Sequence, residues 1–114
     1  MVSIEKILKA VDDRDLEWFE KYVHEEYIYV DDFNMLARED WFEALKEFMD
    51  GDTDMTYKRK ILVDDRDVTS FQHVRIIDDE EHIITNVHLL KDGKIWRHIV
   101  NSCLLYTSPS PRDG

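Results

Sequence analysis

The sequence has little cysteine, glycine and proline, with one Cys, three Gly and two Pro among 114 residues. A single cysteine cannot form an intramolecular disulfide, so a disulfide-stapled scaffold is excluded and a reducing compartment, the cytoplasm, is predicted. The sequence also lacks an apolar run of about 18 residues and a charged-then-apolar leader. We therefore expect neither a membrane span nor a signal peptide.

Basic residues are scarce relative to acidic ones. The chain has 15 Lys and Arg against 26 Asp and Glu, which gives a formal net charge of −11. The electrostatic field of a protein with this negative charge repels phosphate backbones and anionic lipid surfaces. We therefore expect no nucleic-acid partner and no membrane partner.

Large apolar side chains are present in the amounts that a folded domain needs. The hydrophobic fraction is 43%, with three Trp, five Tyr and five Phe, and a chain of this length builds one core. The alternating pattern stops at Cys103, and the run from Cys103 to Asp113 resembles the translation of a sequencing-library adapter. We therefore predict one domain at 1–102, truncated at its C-terminus, and a non-native or disordered tail at 103–114.

The first half of the chain has the apolar spacing of three helices. Apolar residues recur every three or four positions over 4–11, 16–23 and 41–49, which is the spacing that buries one helix face. Ser3 and Asp15 are suitable N-caps for the first two helices. Gly51 is expected to end the third in the left-handed conformation. The β-forming residues 27–30 predict a short strand before the third helix.

The second half alternates in the manner of β-strands. We predict strands at 55–63, 68–77, 82–90 and 94–102, joined as an antiparallel meander. Asp92-Gly93 is typical of a two-residue hairpin loop, and it places Leu89 opposite Trp96 and Val87 opposite His98. Asp79-Glu80 is the predicted loop of the preceding hairpin.

Alternation along these strands divides the side chains into two faces. The mostly apolar face is predicted to meet the helices and consists of Ser70, Gln72, Val74, Ile76, Ile83, Thr85, Val87, Leu89, Trp96, His98 and Val100. The other face mixes apolar and polar side chains, with Ile84 and Ile99 among them, and is predicted to be a homodimer interface. His73, His82 and His88 on that second face lack the spacing of metal ligands, so no metal site is expected.

Three short motifs resemble the nuclear transport factor 2-like superfamily, in its SnoaL-like branch. They are Asp15-Leu16-Glu17 at the second helix, the strand from Tyr27 to Asp32 that ends in acid, and the hairpin Leu90-Lys91-Asp92-Gly93-Lys94-Ile95. The order of elements over residues 3–102 is similar too. The resemblance implies an α+β cone in which three N-terminal helices pack on a curved antiparallel sheet. It also implies a pocket between them and, in many members, a dimer through the convex sheet face.

The resemblance places Asp31 at the position of the general base of ketosteroid isomerase, with Asp32 as the neighbouring alternative. A carboxylate at the rim of an apolar pocket can have its pKa raised by desolvation, which suits it to abstract a proton next to a carbonyl. The alternative to a catalytic role is that Asp31 and Asp32 form a solvent-exposed turn at the end of the strand. The isomerase's other parts, a Tyr in the first helix and a second Asp on a strand, have no match here, so a faithful steroid isomerase is not expected.

His98 follows Gly93-Lys94-Ile95 and resembles a histidine that lines the pocket of SnoaL-like cyclases. Imidazole gives or takes a proton near neutral pH, so Asp31 and His98 are the predicted catalytic pair. The alternative is that His98 is a hydrogen-bonded core residue. The residues predicted to bind the ligand are Tyr27, Tyr29, Asp32, Gln72 and Trp96, with Trp18 and Trp41 as further aromatic walls.

Two functions follow from these residues. The first is a cofactor-independent lyase or isomerase that acts by acid–base chemistry on a small apolar carbonyl or cyclic compound. The alternative is a non-catalytic dimeric module that binds a ligand or supports a partner subunit, as dioxygenase β subunits do. Because enzymes and binding modules share this fold, the fold does not choose between them. No cofactor is expected, since the sequence has no glycine-rich phosphate loop.

Overall fold

The computed structural model describes residues 2–51 and 55–104, which form three helices and six strands. In chain order these are α1 (Ile4–Asp12), α2 (Leu16–Tyr22), β1 (Val23–Val30), β2 (Met35–Ala37), α3 (Arg38–Asp50), β3 (Lys60–Asp64), β4 (Val68–Ile77), β5 (Glu80–Lys91) and β6 (Lys94–Leu104). Among the described helices, none combines the length and the apolar character needed to cross a membrane.

Side-chain caps account for the starts of α1 and α2, whereas α3 begins after Ala37 without a side-chain cap. The Ser3 hydroxyl accepts from the Lys6 N–H at 3.4 Å and caps α1, while the Asp15 carboxylate accepts from the Trp18 N–H at 3.1 Å and caps α2. Each cap satisfies a backbone donor that a helix leaves unpaired in its first turn. Gly51 does end α3, but its φ of −95° is not left-handed. The predicted left-handed cap is therefore wrong, because the chain leaves α3 in an extended conformation.

The six strands form one sheet in the order β2-β1-β6-β5-β4-β3. Strands β3 to β6 are the predicted antiparallel meander. Strand β1 joins it parallel to β6, with Tyr29 beside His98, and β2 pairs antiparallel to β1. The sheet is therefore mixed rather than purely antiparallel, since the long connection through α3 and the meander brings β6 back alongside β1 in the same direction.

The helices cover one face of this sheet. Ile4 and Leu8 of α1 form a buried cluster with Phe71 of β4. A larger cluster joins the helices to β1 and β6 and contains Val2, Ile7, Ala10, Phe19, Val23, Tyr27, Phe42, Leu45 and Ile95. The covered face of β4 is therefore the one that carries Phe71 and not the one that carries Gln72, because neighbouring strand residues point to opposite sides.

Two hairpins set the register of the meander. Asp92 and Gly93 both have positive φ, 56° and 74°, and Lys91 pairs with Lys94, so this predicted hairpin is confirmed. The preceding loop is Asp78-Asp79, also at positive φ, with Ile77 opposite Glu80. The predicted Asp79-Glu80 loop was one residue late, because Asp also tolerates the left-handed conformation that such turns require.

A β-bulge at Trp96 changes the faces of β6. Leu90 pairs with Ile95 but Leu89 pairs with Arg97, which leaves Trp96 as an extra residue. An extra residue shifts the alternation by one position. His98 and Val100 consequently share the helix-facing side with Ile95, and His98 lies opposite His88 rather than opposite Val87.

The predicted assignment of the two faces is wrong for β4 and β5. The helix-facing side carries Phe71, His73, Ile84, Asn86 and His88, and the outer side carries Gln72, Val74, Ile76, Ile83, Thr85, Val87 and Leu89. The prediction placed the more apolar face of the sheet toward the helices, and that face is the outer one. Polar side chains are instead gathered on the inner side around a cavity.

The structure also adjusts the strand ends. Strand β1 starts at Val23 rather than at residue 27, β3 starts at Lys60 rather than at residue 55, and β2 was not predicted. Strand β6 continues through Cys103 to Leu104 because both residues pair with β5. Residues 105–114 of the predicted tail lie outside the described residues.

Candidate functional site

A cavity of about 540 Å³ lies between the helices and the inner face of the sheet. This volume is in the range of small-molecule sites in proteins. Most of its wall is apolar or aromatic, and the helices contribute Ile7, Val11, Phe19, Trp41, Leu45 and Phe48. The sheet contributes both apolar and polar groups, so the cavity has an apolar body and a small number of polar contact points.

The polar wall is built around His98 of β6. The Tyr27 hydroxyl lies 2.9 Å from His98 Nδ1, and His98 Nε2 lies 3.0 Å from Asn86 Oδ1. Asn86 Oδ1 can only accept, so Nε2 carries the proton and Nδ1 accepts from the Tyr27 hydroxyl. Three strands thus supply one chain of hydrogen bonds, which runs from Tyr27 through His98 to Asn86.

His88 of β5 stacks on His98, with ring centroids 4.3 Å apart. Burial lowers the pKa of His88 to about 4. Burial and then the neighbouring His88 lower the pKa of His98 well below its ordinary value. Desolvation penalises the imidazolium and a second imidazolium at this distance would repel the first. Both rings are therefore neutral at pH 7.

Asp31 follows β1, lines the cavity and is held in a tight turn. Its Oδ1 accepts from the N–H groups of Phe33 and Asn34, at 2.9 and 2.8 Å, and its Oδ2 accepts from the Tyr29 hydroxyl at 2.9 Å. Desolvation raises the pKa of Asp31, but these hydrogen bonds together outweigh it and the pKa is lowered. The carboxylate is consequently charged at neutral pH, which differs from the raised pKa that the sequence suggested.

The structure brings together most of the predicted site residues. Tyr27, Tyr29, Asp31, Asp32 and His98 all line the cavity. Tyr29 connects the two predicted catalytic residues, since its hydroxyl donates to Asp31 and its ring lies edge-on to His98 at 5.2 Å. Trp41 also lines the cavity, whereas Trp18 packs at the margin of the helical core.

Gln72 and Trp96 do not line the cavity. Gln72 lies on the outer side of β4 and donates to the Thr85 hydroxyl at 3.0 Å. Trp96, the bulge residue, donates from Nε1 to Glu26 at 3.3 Å and packs against the Arg97 guanidinium. Their predicted role in binding the ligand is not supported, because the inverted faces and the bulge turn both away from the helices.

Several polar residues of the cavity were not predicted as site residues, namely Asn34, His73, Arg75, Asn86, His88 and Ser102. Asn86 and His88 were assigned to the outer face, and Arg75, which is exposed where it lines the cavity, was given no role. A usable signal was present in the sequence. Polar and charged residues alternate with apolar ones at 73, 75, 86, 88 and 98, and a cavity accounts for such a pattern as well as an interface does.

Within residues 2–51 and 55–104, no group of three or more His, Cys, Asp or Glu side chains is arranged to hold a metal ion. His73 and His88, which were expected on the outer face, line the cavity instead. The described cavity wall offers hydrogen-bonding groups, the carboxylates of Asp31 and Asp32, the Arg75 guanidinium and aromatic rings.

No protein-family model matches this sequence, and no curated protein matches it. Solved structures do match its fold. A candidate ketosteroid isomerase from Kribbella flavida superposes with a TM-score of 0.65 at 15% identity, over 92% of this chain and 78% of that one. An NTF2-like protein of unknown function from Cytophaga hutchinsonii has a TM-score of 0.59 at 13% identity, over 93% and 87%.

IdmH from Streptomyces antibioticus, described as a candidate polyketide cyclase, has a TM-score of 0.61 at 17% identity, over 82% of this chain and 84% of that one. At such low identities these similarities concern the fold alone. The chain therefore has the α+β fold of nuclear transport factor 2-like and SnoaL-like proteins, as the sequence motifs indicated. That fold is shared by proteins with different activities.

Proposed function

We propose that the cavity binds a small, mostly apolar molecule that carries at least one hydrogen-bonding group. The observation that carries this proposal is the cavity of about 540 Å³, whose apolar walls converge on the polar chain from Tyr27 through His98 to Asn86. Sites of this composition bind ligands by apolar burial and orient them by a small number of polar contacts. A cytoplasmic location stays a prediction from the sequence.

Titration with a neutral apolar reporter tests this proposal. The fluorescent ketone 6-propionyl-2-(dimethylamino)naphthalene has about 17 non-hydrogen atoms, and at about 0.3 kcal/mol each we expect a Kd on the order of 100 μM or tighter. Its emission should shift to the blue on saturable binding, because the cavity is less polar than water. Emission that rises linearly without saturation would contradict a defined site.

The second candidate function is proton transfer, and a specific arrangement favours it. Asp31 and the wall residue His98 line the same cavity and are linked by Tyr29. In a lyase or isomerase reaction, Asp31 would take a proton from carbon next to a carbonyl, and the electron pair would move to the carbonyl oxygen as an enolate. Both ring nitrogens of His98 are occupied, so we assign it to positioning rather than to proton delivery.

Deuterium exchange into an apolar ketone tests this second function. With 2-tetralone in D2O, wild-type protein should accelerate exchange of the α-protons, and Asp31→Asn should lower that acceleration about tenfold. This is below the usual contribution of about 10²- to 10⁴-fold for a general base, because a carboxylate with a lowered pKa is a weak base. Exchange is followed by proton NMR. Asp40→Asn is the matched control, because Asp40 is an exposed acid of α3 that does not line the cavity. It should keep the wild-type rate, and an equal loss in both variants would argue against Asp31 as the base.

We also propose a homodimer through the outer sheet face. Ile76 and Ile99 on that face are 54% and 43% exposed, beside the half-buried Ile83, Val87 and Leu89. Exposed apolar side chains gathered on one sheet face suit a protein contact, and the polar row of Gln72, Thr85 and Asn101 crosses the face between them. Ile84, which we first expected in this interface, lines the cavity instead.

Sedimentation equilibrium tests the dimer. Wild-type protein should sediment at twice the monomer mass of 13.7 kDa, and Ile99→Lys should sediment as a monomer because it places a charge in an apolar contact. Phe33→Lys is a suitable control, since Phe33 is exposed but lies in the turn after β1. A monomeric wild-type protein, or a dimer that survives Ile99→Lys, would refute this interface.

A further inference from the structure

Arg75 is the one Lys or Arg among the described residues that line the cavity. It lies on the inner face of β4, two residues after His73, which lines the cavity as well. The same wall contains the apolar side chains of Ile77 and Ile84 and the hydroxyl of Ser102. A charged group beside apolar walls is the kind of polar contact that decides which ligand a mostly apolar site accepts.

The Arg75 guanidinium has no acidic partner within the described part of the chain. None of the ion pairs found there includes it, and Glu80, on the same face opposite Ile77, does not pair with it. Other arginines do donate to a carbonyl or a carboxylate, namely Arg14, Arg38, Arg59 and Arg97. The N–H groups of Arg75 are therefore open to a ligand.

The two acids of the cavity wall lie on its far side from Arg75. Asp31 and Asp32 follow β1, and β1 is three strands away from β4 in the sheet. At a strand spacing of about 4.8 Å their backbones are roughly 14 Å from that of Arg75. Salt at about 0.1 M screens charges over about 10 Å. The cavity therefore has an acidic side and a separate basic side.

A carboxylate is the ligand group that the basic side fits. A guanidinium and a carboxylate form two parallel hydrogen bonds in one plane, with opposite charges in contact. Arg75 is exposed where it lines the cavity, so a carboxylate bound there stays in contact with water and its desolvation cost is small. The apolar part of the same molecule would lie along Ile77 and Ile84 and extend toward the helices.

We propose that the cavity binds an apolar carboxylic acid in its ionised form, and that Arg75 is the residue that binds the carboxylate. This inference rests on the proposed binding function and names the class of ligand for it. The reverse orientation would bring the ligand carboxylate to the charged Asp31, and like charges repel. Repulsion on the β1 side and attraction on the β4 side thus select the same orientation.

The test compares 2-naphthoate with 2-naphthamide, which has nearly the same shape and no charge. Displacement of the fluorescent reporter gives both Kd values, with the reporter's own Kd measured first in each variant. The quantity compared is the amide-to-acid Kd ratio, because changes in folding or apolar burial affect both ligands alike. Arg75→Gln should lower this ratio about fivefold, which is the upper end of the effect of a solvent-exposed ion pair.

Two further variants separate a specific contact from the general effect of charge. Arg66→Gln removes the same charge from an exposed arginine that does not line this cavity, so it should keep the wild-type ratio. Arg75→Lys keeps the charge but loses the two parallel hydrogen bonds, and it should give an intermediate ratio. Thermal unfolding of each variant shows that a folded protein is being compared.

NMR of the wild-type protein tests the inference without any substitution. The Nε–H signal of Arg75 should move on titration with 2-naphthoate and stay in place with 2-naphthamide. Three results would overturn the inference and leave the proposed binding function intact. They are a Kd ratio that Arg75→Gln leaves unchanged, an equal fall in Arg66→Gln, and failure of 2-naphthoate to displace a bound reporter. If the reporter itself did not bind, both the inference and the binding function would fall.

Discussion

Acidification from pH 7 to pH 4 should lower the free energy of unfolding by about 3 kcal/mol through His88 alone. The pKa of His88 is about 4 in the folded protein, against the ordinary value of 6.5 that applies to the unfolded chain. Each unit of difference between the two pKa values changes the free energy of unfolding by about 1.4 kcal/mol. The unfolded chain binds the proton first, so stability is fully present above pH 6.5 and falls as the pH decreases toward 4.

His98 adds to this loss, because burial and then His88 lower its pKa as well. The groups that face the pair across the cavity are the carboxylates of Asp31 and Asp32, the Arg75 guanidinium and the ring of His73. The lowered pKa of Asp31 contributes in a different window, since its stabilisation is present above pH 3.8 and is lost only below it. The pKa of Glu26 is lowered from 4.5 by its Trp96 and Lys91 partners, so its contribution is lost only below pH 4.5. The decline between pH 6.5 and 4.5 therefore reports the histidines.

Urea unfolding at half-unit steps of pH checks this prediction in wild-type protein and in His88→Gln. The variant should be less stable at pH 7, but its stability should decline much less on acidification. Thr69→Val is the matched control, because it removes the hydroxyl that lies 3.3 Å from His88 Nδ1 and keeps the imidazole. This control should keep the steep decline. An equally steep decline in His88→Gln would show that the buried pair is not its source.

Much of the fold could be predicted because its signals are local. The caps at Ser3 and Asp15 and the helical apolar spacing depend on residues within one or two turns of each other. The Asp92-Gly93 hairpin depends on two residues that tolerate positive φ. The motifs around these elements also indicated the nuclear transport factor 2-like fold, and the solved structures support that fold.

The faces of the sheet could not be predicted, because they depend on contacts that are distant in the chain. Burial of Phe71 against Ile4 and Leu8 decides which side of β4 is inner, and no local pattern contains that contact. The usual rule that apolar side chains face inward failed here. A binding cavity places polar groups on the inner side, and an apolar outer side is what a subunit contact would require.

His98 illustrates how a site residue can be predicted for an incomplete reason. Strict alternation placed it inward together with Gln72 and Trp96, and that grouping is wrong. It lies inward because the bulge at Trp96 shifts the register of β6 by one residue. A bulge is set by the pairing of β6 with its neighbouring strands, so the sequence of β6 alone does not reveal it.

A large side chain that fills the cavity from a position on β6 should abolish ligand binding. Val100 lines the cavity opposite Asn86, and the next residue, Asn101, is exposed on the outer side. Val100→Trp places an indole ring in the space that a ligand would occupy. Asn101→Trp makes an equally large change one residue along the chain, on the opposite side. Because strand neighbours point to opposite faces, the two variants differ chiefly in which side they fill.

The central claim is that the inner face of the sheet, in the bulged register, lines a cavity that binds a small apolar molecule. Titration of Val100→Trp and Asn101→Trp with 6-propionyl-2-(dimethylamino)naphthalene tests it most directly, with thermal unfolding to show that both variants are folded. The account predicts no saturable binding to Val100→Trp and a Kd within about twofold of wild type for Asn101→Trp. Undiminished binding to folded Val100→Trp, or its loss in Asn101→Trp alone, would contradict the account.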